Sequence, residues 1–413
     1  MGKKLKVLHT MTWFCKGGGA DLNVYHTING LKDEFDMHIA VGDEIYQNHF
    51  ENMEGITFHQ CNDLVRPINL FKDLKAVYYF YKLIKKEKYD IVHTHESKAS
   101  VVTRLAAKLA GTPVIIFGLH GVNFKMPFSK WKKKFFYYIE KTTIGAADKI
   151  IAVGQNVVDI YHEHNVGNKI PYEVVYSGIE VEKFKQGALL SKEERSRLRN
   201  EIGVSDTDFL LTNVGRLTRN KGQKYAIQAM EQLVQKFPNV KLLLAGEGEL
   251  KEDYVKQVKE AGLENNIIFY GYCDNIPQLY GMSDLYFHTS LSEGLPRVVV
   301  ESYLSKLPVV CFEVEGIHEI IDHGKTGYIS KQYDVNTLVK YAAELISDDQ
   351  KRETFGIKGC EFASERWDHH RMVDTLRDLY YKWLNEKTPG KVVYTKQLEA
   401  KPKTKKVYAT KLN

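Results

Sequence analysis

Short apolar runs alternate with amphipathic stretches of helical spacing along most of the chain. Residues 5–10 and 37–41 predict strands, residues 20–31 predict a helix between them, and the alternation continues to a strand at 149–153. Strands that are apolar along their length and separated by helices are typical of a parallel sheet covered on both faces. The pattern therefore predicts an α/β fold.

The alternation is interrupted near residues 181–190 and starts again with an apolar run at 209–214. Each half carries enough strands and helices for a doubly wound sheet of its own. The units that we predict are a Rossmann-like N-terminal domain at 1–180, a Rossmann-like C-terminal domain at 181–364, a C-terminal helix at 365–386 and a basic tail at 387–413.

Composition and cysteine usage narrow the class of protein. Apolar residues make up 43% of the chain and charged residues 27%, which excludes a disordered, collagen-like or disulfide-rich protein. No apolar run approaches the roughly 20 residues that span a bilayer. The five cysteines are scattered and never spaced as CxxC, which favours a reducing cytosol and offers no metal knuckle. We therefore expect an intracellular protein.

Positive charge is concentrated in two segments, although the whole chain carries only +6. Residues 387–413 contain eight lysines against one glutamate, and residues 125–141 contain six lysines against one glutamate. We expect the first of these segments to be disordered, after one continuous amphipathic helix at 362–384. Basic runs are usually solvated surface, so we do not expect nucleic acid as a partner. A non-catalytic nucleic-acid-binding protein is the most distant alternative.

Three consecutive glycines, Gly17, Gly18 and Gly19, lie between the first predicted strand and the first predicted helix. Glycine lets a ligand approach the main chain closely, and the helix N-terminus behind the loop offers unpaired N–H groups. The loop therefore favours a diphosphate site over a tight turn with nothing bound. It is not the GxGxxG fingerprint of dinucleotide-binding proteins, and the chain contains no P-loop motif.

A second glycine-flanked loop, from Gly215 to Gly222, follows the first predicted strand of the second domain. Ligands of open α/β sheets bind at this edge. Arg216 offers a fork of donors and Lys221 offers a point charge, so together they could clamp a diphosphate. Loops are often basic without binding anything, and this segment alone leaves both alternatives open.

The segment Glu293-Gly294-Leu295-Pro296 follows another predicted strand and begins a helix that contains Glu301. Proline suits the first helical position, so Gly294 and Leu295 would present backbone N–H groups at the helix start. The two glutamate carboxylates could accept hydrogen bonds from the hydroxyl groups of a sugar and a ribose. Two glutamates eight residues apart are no signal by themselves, but their place on this strand–helix turn predicts a ligand site.

These three segments together resemble the retaining GT-B glycosyltransferases of family 4. The segments 93–107, 120–121 and 175–179 resemble the bacterial surface-polysaccharide members of that family. The resemblance covers about residues 4–384. It implies a GT-B fold, in which two Rossmann-like domains face a cleft and a C-terminal helix crosses back to the first domain.

The resemblance also implies roles for the residues of these segments. In catalysis, it implies Arg216 and Lys221 at the leaving diphosphate, Glu293 at the sugar hydroxyls and His120 beside the transferred sugar. In donor binding, it implies Gly17, Gly18, Gly19, Gly215, Gly294, Leu295 and the ribose-binding Glu301. The expected enzyme is a hexosyltransferase or an N-acetylhexosaminyltransferase without a cofactor.

The histidines do not mark a metal site in the sequence. His93 and His95 lie on one face of a predicted strand and His120 follows, but no third ligand is convincing. An oxocarbenium-like sugar that leaves a diphosphate needs fixed positive charge, which Arg216 and Lys221 could supply. We therefore predict catalysis without a bound metal ion.

The helix predicted at 131–146 combines aromatic residues with lysines. Its aromatic stripe and the lysines beside it are Phe128, Trp131, Phe135, Tyr138 and Ile139, and Lys130, Lys133, Lys134 and Lys141. Such a helix can lie in an anionic membrane interface, or its aromatic face can pack on the sheet while the lysines are solvated. We favour the interface because lipid-linked acceptors are common in the family that the chain resembles. The expected contacts are Lys130, Trp131, Lys133, Lys134 and Phe135.

We therefore expect a cytoplasmic enzyme, peripheral on the inner face of the cell membrane. It would move a sugar from a nucleotide-sugar, with UDP-sugars favoured, to a saccharide acceptor in surface-polysaccharide or glycan assembly. The favoured acceptor is linked to polyprenyl diphosphate. A GT-B transferase with a water-soluble acceptor is the nearest alternative, and another GT-B enzyme, such as a nucleotide-sugar epimerase, is a further one.

Overall fold

Seven parallel strands form the first sheet of the molecule, whose computed structural model describes residues 4–14, 19–45, 53–126 and 128–389. These strands are β1 (Lys6–Phe14), β2 (Asp36–Ile45), β3 (Thr57–Gln60), β4 (Ile91–His95), β5 (Val114–Leu119), β6 (Lys149–Ala152) and β7 (Tyr172–Val174). They lie in the order β3-β2-β1-β4-β5-β6-β7, and all neighbours are parallel.

Helices cover both faces of the first sheet. They are α1 (Gly19–Leu31), α2 (Leu70–Glu87), α3 (Ser97–Ala110), α4 (Lys130–Thr143) and α5 (Gln155–Glu163). On one face, Val24 and Ile28 of α1 pack among apolar side chains of β1 and β2. On the other face, Phe80 of α2 and Ala106 of α3 pack against the strand side chains that alternate along the chain with those of the first face. The alternation of apolar side chains on both faces explains why these strands are apolar throughout.

The second sheet repeats this architecture with six parallel strands. They are β8 (Phe209–Val214), β9 (Val240–Ala245), β10 (Ile267–Gly271), β11 (Leu285–His288), β12 (Val309–Phe312) and β13 (Gly327–Ser330), in the order β10-β9-β8-β11-β12-β13. The helices of this half are α6 (Val181–Gly187), α7 (Lys192–Glu201), α8 (Gln223–Lys236), α9 (Lys251–Glu260), α10 (Ile276–Gly281), α11 (Arg297–Leu304), α12 (Val335–Ser347) and α13 (Asp349–Arg366). The strand order reverses between β8 and β11, and between β1 and β4 in the first sheet, so each sheet has a crevice of the kind that binds ligands.

The C-terminal helical segment consists of two helices rather than the single one predicted at 362–384. Two residues separate the end of α13 from the start of α14 (His369–Lys387). The carboxylate of Asp368 caps α14 by accepting hydrogen bonds from two backbone N–H groups of its first turn. In the same break, the carbonyl of Trp367 accepts a 2.7 Å hydrogen bond from the N–H of Ile179. This contact with the junction between the halves is long-range, so helical periodicity could not reveal it.

The last helix crosses back to the first sheet. Tyr380, Trp383 and Leu384 of α14 are buried in the same cluster as α1 and β1. The two halves also meet through Arg297, which donates a 2.8 Å hydrogen bond to the carbonyl of Gly178. The predicted α/β fold with two facing sheets and a returning helix is therefore confirmed. The domain limits stay predictions, and residues 390–413 of the predicted tail lie outside the described residues.

Candidate active site

The loop after β8 carries the two predicted cations. Arg216 is exposed, and Lys221 ends a single 3-10 turn, Arg219–Lys221. Gly222 follows with a φ of 65°, and a Cβ at this position would overlap the carbonyl oxygen of Thr289. The turn therefore needs glycine, and it lies directly against the segment that follows β11.

Lys221 forms an ion pair with Glu293 across these two segments. The Nζ of Lys221 lies 2.6 Å from Oε1 of Glu293, and the two side chains are only 20% and 13% exposed. Burial disfavours the carboxylate, but the charge of Lys221 outweighs burial and holds the pKa of Glu293 below its usual range. His288, whose Nε2 lies 3.8 Å from Oε1 of Glu293, has a smaller effect in the same direction. Within the described residues Arg216 has no carboxylate partner, and its guanidinium lies 5.9 Å from the centre of the Trp13 ring.

The turn at 293–296 brings Glu293 against the first half of the molecule. A Cβ on Gly294 would overlap the carbonyl oxygen of His120, so only glycine permits this approach. Leu295 beside it is buried. Pro296 occupies the cap position before α11 rather than the first helical position that the sequence suggested. Gly294 and Leu295 are thus brought to the contact between the two sheets.

Glu301 lies one turn inside α11 and is buried. Its Oε1 lies 3.8 Å from Nε of Arg297. Burial outweighs the attraction of Arg297 and the weaker one of Lys183, and raises the pKa of Glu301. A carboxyl group in this position can accept hydrogen bonds and, when protonated, can also donate one.

The predicted glycine loop is described only at its end. Gly17 and Gly18 lie outside the described residues, and Gly19 is the first residue of α1. A Cβ on Gly19 would lie 2.9 Å from Cδ of Arg297. The end of the loop therefore meets the start of α11 across the cleft. In the second half, Gly215 packs beside the aliphatic stem of Lys221.

His120 approaches the same cleft from the end of β5. Its Nε2 lies 2.9 Å from Nδ1 of His95. Burial, helped by the charge of Arg297, lowers the pKa of His120 to about 4, so its imidazole is neutral at pH 7. The structure thus brings the ion pair of Lys221 and Glu293 to a turn whose Gly294 meets the backbone of His120, and it places Arg216 near Trp13 of the first half.

The sequence analysis missed Glu96 and Trp13 at this cleft. Glu96 follows β4 with φ 59° and ψ 173°, a strained backbone conformation for a residue other than glycine. Its carboxylate accepts hydrogen bonds from the backbone N–H of Thr12 at 2.9 Å and from Nε1 of Trp13 at 3.1 Å. Burial raises the pKa of Glu96 to about 7. The signal that could have found it is a carboxylate directly after the carboxyl end of a strand.

The histidines weighed as metal ligands have a third neighbour in the fold. His9 of β1 joins His93 and His95 of β4, and ring nitrogens of all three lie within 4.8 Å of one another. The chain also carries one Asp-x-Asp triplet, at 206–208, but it precedes β8 and so lies at the opposite sheet edge from Lys221. Catalysis without a metal ion stays a prediction.

Helix α4 exposes much of its aromatic stripe. The exposed residues among the predicted membrane contacts and their neighbours are Lys130, Trp131, Lys134, Phe135 and Tyr138. The side chain of Trp131 is 71% exposed, whereas Lys133 is half-buried. Phe136 and Tyr137 are the aromatic residues that pack inward. The alternative that the aromatic stripe packs on the sheet therefore does not hold for the exposed residues.

Helix α2 adds a second apolar surface that the sequence analysis did not single out. Its exposed apolar side chains are Leu70, Phe71, Leu74 and Tyr78, and Lys72, Lys75 and Lys82 are exposed among them. Helix α3 contacts both α2 and α4, and we call the exposed residues of these three helices the apolar–basic face. Nowhere in the described part of the chain does a helix combine the length and apolarity that crossing a bilayer requires.

Comparisons with known proteins identify the family. A model described as "Glycosyltransferase Family 4" matches residues 17–183, and one described as "Glycosyl transferases group 1" matches residues 194–361. The Escherichia coli enzyme UDP-Gal:alpha-D-GlcNAc-diphosphoundecaprenol alpha-1,3-galactosyltransferase is 27% identical over 77% of this chain and 81% of that protein. The N-acetyl-alpha-D-glucosaminyl L-malate synthase of Bacillus anthracis is 26% identical over 82% of this chain and 87% of its own length.

A solved structure has the same fold over nearly its whole length. HepE from Anabaena, crystallised in complex with UDP-glucose, aligns with a TM-score of 0.75 at 25% identity, and the alignment covers 91% of this chain and 99% of that one. The two family models meet near the junction between the sheets, so each half of the fold has its own match. The chain is a glycosyltransferase with a GT-B fold, and it belongs to the group 1 glycosyltransferases.

Proposed function

We propose that this enzyme is a retaining glycosyltransferase that moves a sugar from a UDP-sugar to a saccharide carried on polyprenyl diphosphate, in surface-polysaccharide or glycan assembly. The observation that carries the proposal is the buried ion pair of Lys221 and Glu293, on the loop that also carries the unpaired Arg216, where Gly294 meets the backbone of His120 at the cleft. The name of the E. coli relative includes both a UDP-sugar and a diphosphoundecaprenol acceptor, and HepE was solved with UDP-glucose. Both support this choice of substrates.

The two cations would stabilise the leaving diphosphate. Negative charge grows on the diphosphate as the glycosidic bond breaks, and preorganised cations in a site with little water stabilise that charge strongly. The charge of Arg216 is free for this purpose because no carboxylate of the described residues neutralises it. Lys221 would lie between two anions, Glu293 and the diphosphate, and would form ionic contacts with both.

The remaining candidate residues would hold the donor at either end. Glu293, ionised at pH 7, would accept hydrogen bonds from sugar hydroxyls, and Glu301 would bind the ribose diol. The neutral imidazole of His120 would contact the sugar without repelling the positive charge that develops on it. The backbone of Gly215, Gly294 and Leu295 and the loop 17–19 would enclose the donor. In this proposal protein cations replace a metal ion, so a chelator should leave turnover unchanged.

The apolar–basic face supports a membrane-bound acceptor. Aromatic and aliphatic side chains on α2 and α4 would enter the interface, and the lysines among them would attract anionic lipids, each contributing about 1 kcal/mol near the surface. The nearest alternative is a water-soluble acceptor. It is supported by the B. anthracis relative, whose name specifies L-malate. We propose the anionic inner leaflet as the enzyme's site of action.

A donor panel tests the chemistry. UDP-, GDP- and ADP-sugars would be offered with a polyprenyl-diphosphate saccharide or with a water-soluble acceptor, and the anomeric configuration of the product would be read by NMR. We expect turnover with a UDP-sugar, the lipid-linked acceptor and retained configuration. Turnover with the soluble acceptor alone would support the alternative, and an inverted product would refute retention.

A matched pair of charge reversals tests the membrane surface. Lys130→Glu with Lys134→Glu changes the apolar–basic face, and Lys256→Glu with Lys259→Glu makes the same change on α9 of the other half. Only the first pair should abolish co-sedimentation with anionic vesicles and activity on the lipid-linked acceptor. Equal binding by both variants would refute docking through this face.

A further inference from the structure

Four histidines and a tyrosine form a continuous series of hydrogen bonds between the cleft and helix α14. The Nε2 of His120 lies 2.9 Å from Nδ1 of His95, and the Nε2 of His95 lies 2.9 Å from Nδ1 of His9. The Nε2 of His9 lies 3.3 Å from the hydroxyl of Tyr380, which lies 2.7 Å from Nδ1 of His93. We call this series the histidine relay.

The members of the relay inside the protein are neutral. Burial lowers the pKa of His9 to about 3 and lowers the pKa values of His93 and His95 well below their ordinary range, while it raises the pKa of Tyr380. A neutral imidazole has one N–H donor and one acceptor nitrogen, and a phenol has one O–H donor. Three proton arrangements preserve all four hydrogen bonds, but in one of them Tyr380 accepts from both His9 and His93, and its buried O–H is left without an acceptor among the described residues. In the other two the O–H donates, and each of these two is the reverse of the other.

The two arrangements differ at the ends of the relay. In the first, His93 and His120 both carry their proton on Nε2. In the second, both carry it on Nδ1, and the Nε2 of His93 is a bare acceptor. This Nε2 is buried and has no hydrogen-bond partner among the described residues. A Cβ on Gly118 would lie 3.1 Å from it and 2.7 Å from Nδ1 of His95, so the backbone of Gly118 lies beside both nitrogens.

This surrounding favours the second arrangement. A buried N–H group without an acceptor is strongly disfavoured, whereas an acceptor without a donor is tolerated more readily. With Nε2 of His93 unprotonated, its Nδ1–H donates to Tyr380, and each later member donates to the next. The last donation, from His95, enters Nε2 of His120, which leaves the proton of His120 on Nδ1.

We propose that His95, His9 and Tyr380 are positioning residues that hold His120 with its proton on Nδ1, so that His120 donates a hydrogen bond to an oxygen of the substrate sugar. The inference rests on the proposed function only for the ligand that His120 meets. It also links the returning helix α14 to the cleft, because Tyr380 lies in that helix. Nitrogens that pair with one another at 2.9 Å are not free to share a metal ion, so the relay and a metal site at these histidines exclude each other.

The tautomer of His120 in the free enzyme is the direct test. Protein labelled with ¹⁵N-histidine would be studied by NMR, with the His120 signals assigned by their loss in His120→Gln. We expect the proton on Nδ1, and a proton on Nε2 would overturn the inference. The measurement needs no turnover, so its failure is distinguishable from failure of the proposed function, which the donor panel tests.

Two neighbouring tyrosines of α14 provide the matched variants. Tyr380→Phe removes the hydroxyl that joins His9 to His93, whereas Tyr381→Phe removes one that donates to Glu34 at 2.8 Å. Tyr380→Phe should mix the His120 tautomers and lower kcat/KM for the donor at least twofold, because only the correct tautomer binds productively. Tyr381→Phe should change neither quantity.

Two results would overturn the relay. One is an equal effect of the two tyrosine variants on the His120 tautomer. The other is one equivalent of a transition metal in the purified enzyme, measured by mass spectrometry and lost in His93→Ala. If Tyr380→Phe does not fold, the tautomer of the wild-type enzyme still decides the question.

Discussion

Lys221 is paired with Glu293 and Arg216 is unpaired, so removing these two cations should have different effects on the free energy of unfolding. At 2.6 Å, and with an effective dielectric constant of about 20, the two charges attract by about 6 kcal/mol, from which the cost of desolvation is subtracted. Removing one partner of a buried pair costs roughly 3–5 kcal/mol because it leaves the other charge unpaired. The slight exposure of both side chains places Lys221→Ala near the lower limit, at about 3 kcal/mol. Arg216→Ala, at an exposed and unpaired side chain, should change stability by less than about 0.5 kcal/mol.

Urea unfolding at pH 7 measures both effects, and turnover of the donor is measured alongside. Each single variant should lose on the order of 10²–10³ in rate, as expected for one preorganised electrostatic donor. The double variant Lys221→Ala/Glu293→Gln removes the unpaired carboxylate, so it should recover most of the lost stability but none of the lost turnover. In acid the destabilisation by Lys221→Ala should shrink, because Glu293, whose pKa is lowered in the folded state, becomes protonated as the pH falls through that value. Wild-type stability of Lys221→Ala would refute the buried pair, and near-normal turnover of either single variant would refute the diphosphate role of that residue.

Three further predictions concern carboxylates and the tail. Glu301→Gln should chiefly weaken donor binding, measured by calorimetry. Glu293→Gln should also lower kcat, because sugar contacts strengthen as charge develops in the transition state. Equal effects of the two variants on donor affinity, with no change in kcat, would contradict this division. The contribution of Glu96 to the free energy of unfolding should fall by about 3 kcal/mol as the pH rises from about 4.5 to 7, because the unfolded chain releases the Glu96 proton before the folded chain does. The buried histidines, whose pKa values are lowered, act in the opposite direction, so the contribution is measured as the difference between wild type and Glu96→Gln in urea unfolding. A difference that stays constant with pH would show that Glu96 does not titrate in this range. Deleting residues 390–413 should weaken vesicle binding at low salt but leave turnover of a soluble donor unchanged. The deletion spares the ion pair of Lys387 with Asp148. Loss of turnover would assign the tail a catalytic role.

The regular elements of this fold follow closely from the sequence pattern. The apolar run predicted at 209–214 coincides with β8, and the helix predicted at 20–31 agrees with α1 to within one residue, because strand residues are apolar throughout and helix residues are amphipathic. Local spacing also placed Arg216, Lys221 and Glu293 at strand ends, where parallel topology gathers them. What such spacing cannot supply is pairing between distant segments, such as the ion pair of Lys221 with Glu293.

The features that escaped prediction depend on three-dimensional neighbours. The break before α14 is stabilised by Ile179, almost 200 residues earlier in the chain, which no helical period reflects. The relay joins His9 and Tyr380 to His95, and these residues lie on three separate elements. The exposure of Trp131 could not be predicted either. The sequence of an amphipathic helix defines two faces, but it does not determine which of them packs on the sheet.

Burial disfavours charge on both sides of the cleft, but beside Glu293 an ion-pair partner outweighs it, and this difference suits the proposed chemistry. In the first half it removes charge: the pKa of His120 falls to about 4, and the pKa of Glu96 rises to about 7. In the second half the close approach of Lys221 overcomes burial and keeps Glu293 ionised. A sugar that becomes positive while its diphosphate becomes negative needs cations only beside the diphosphate. The protein would meet that need by pairing its buried charges on one side of the cleft and neutralising them on the other.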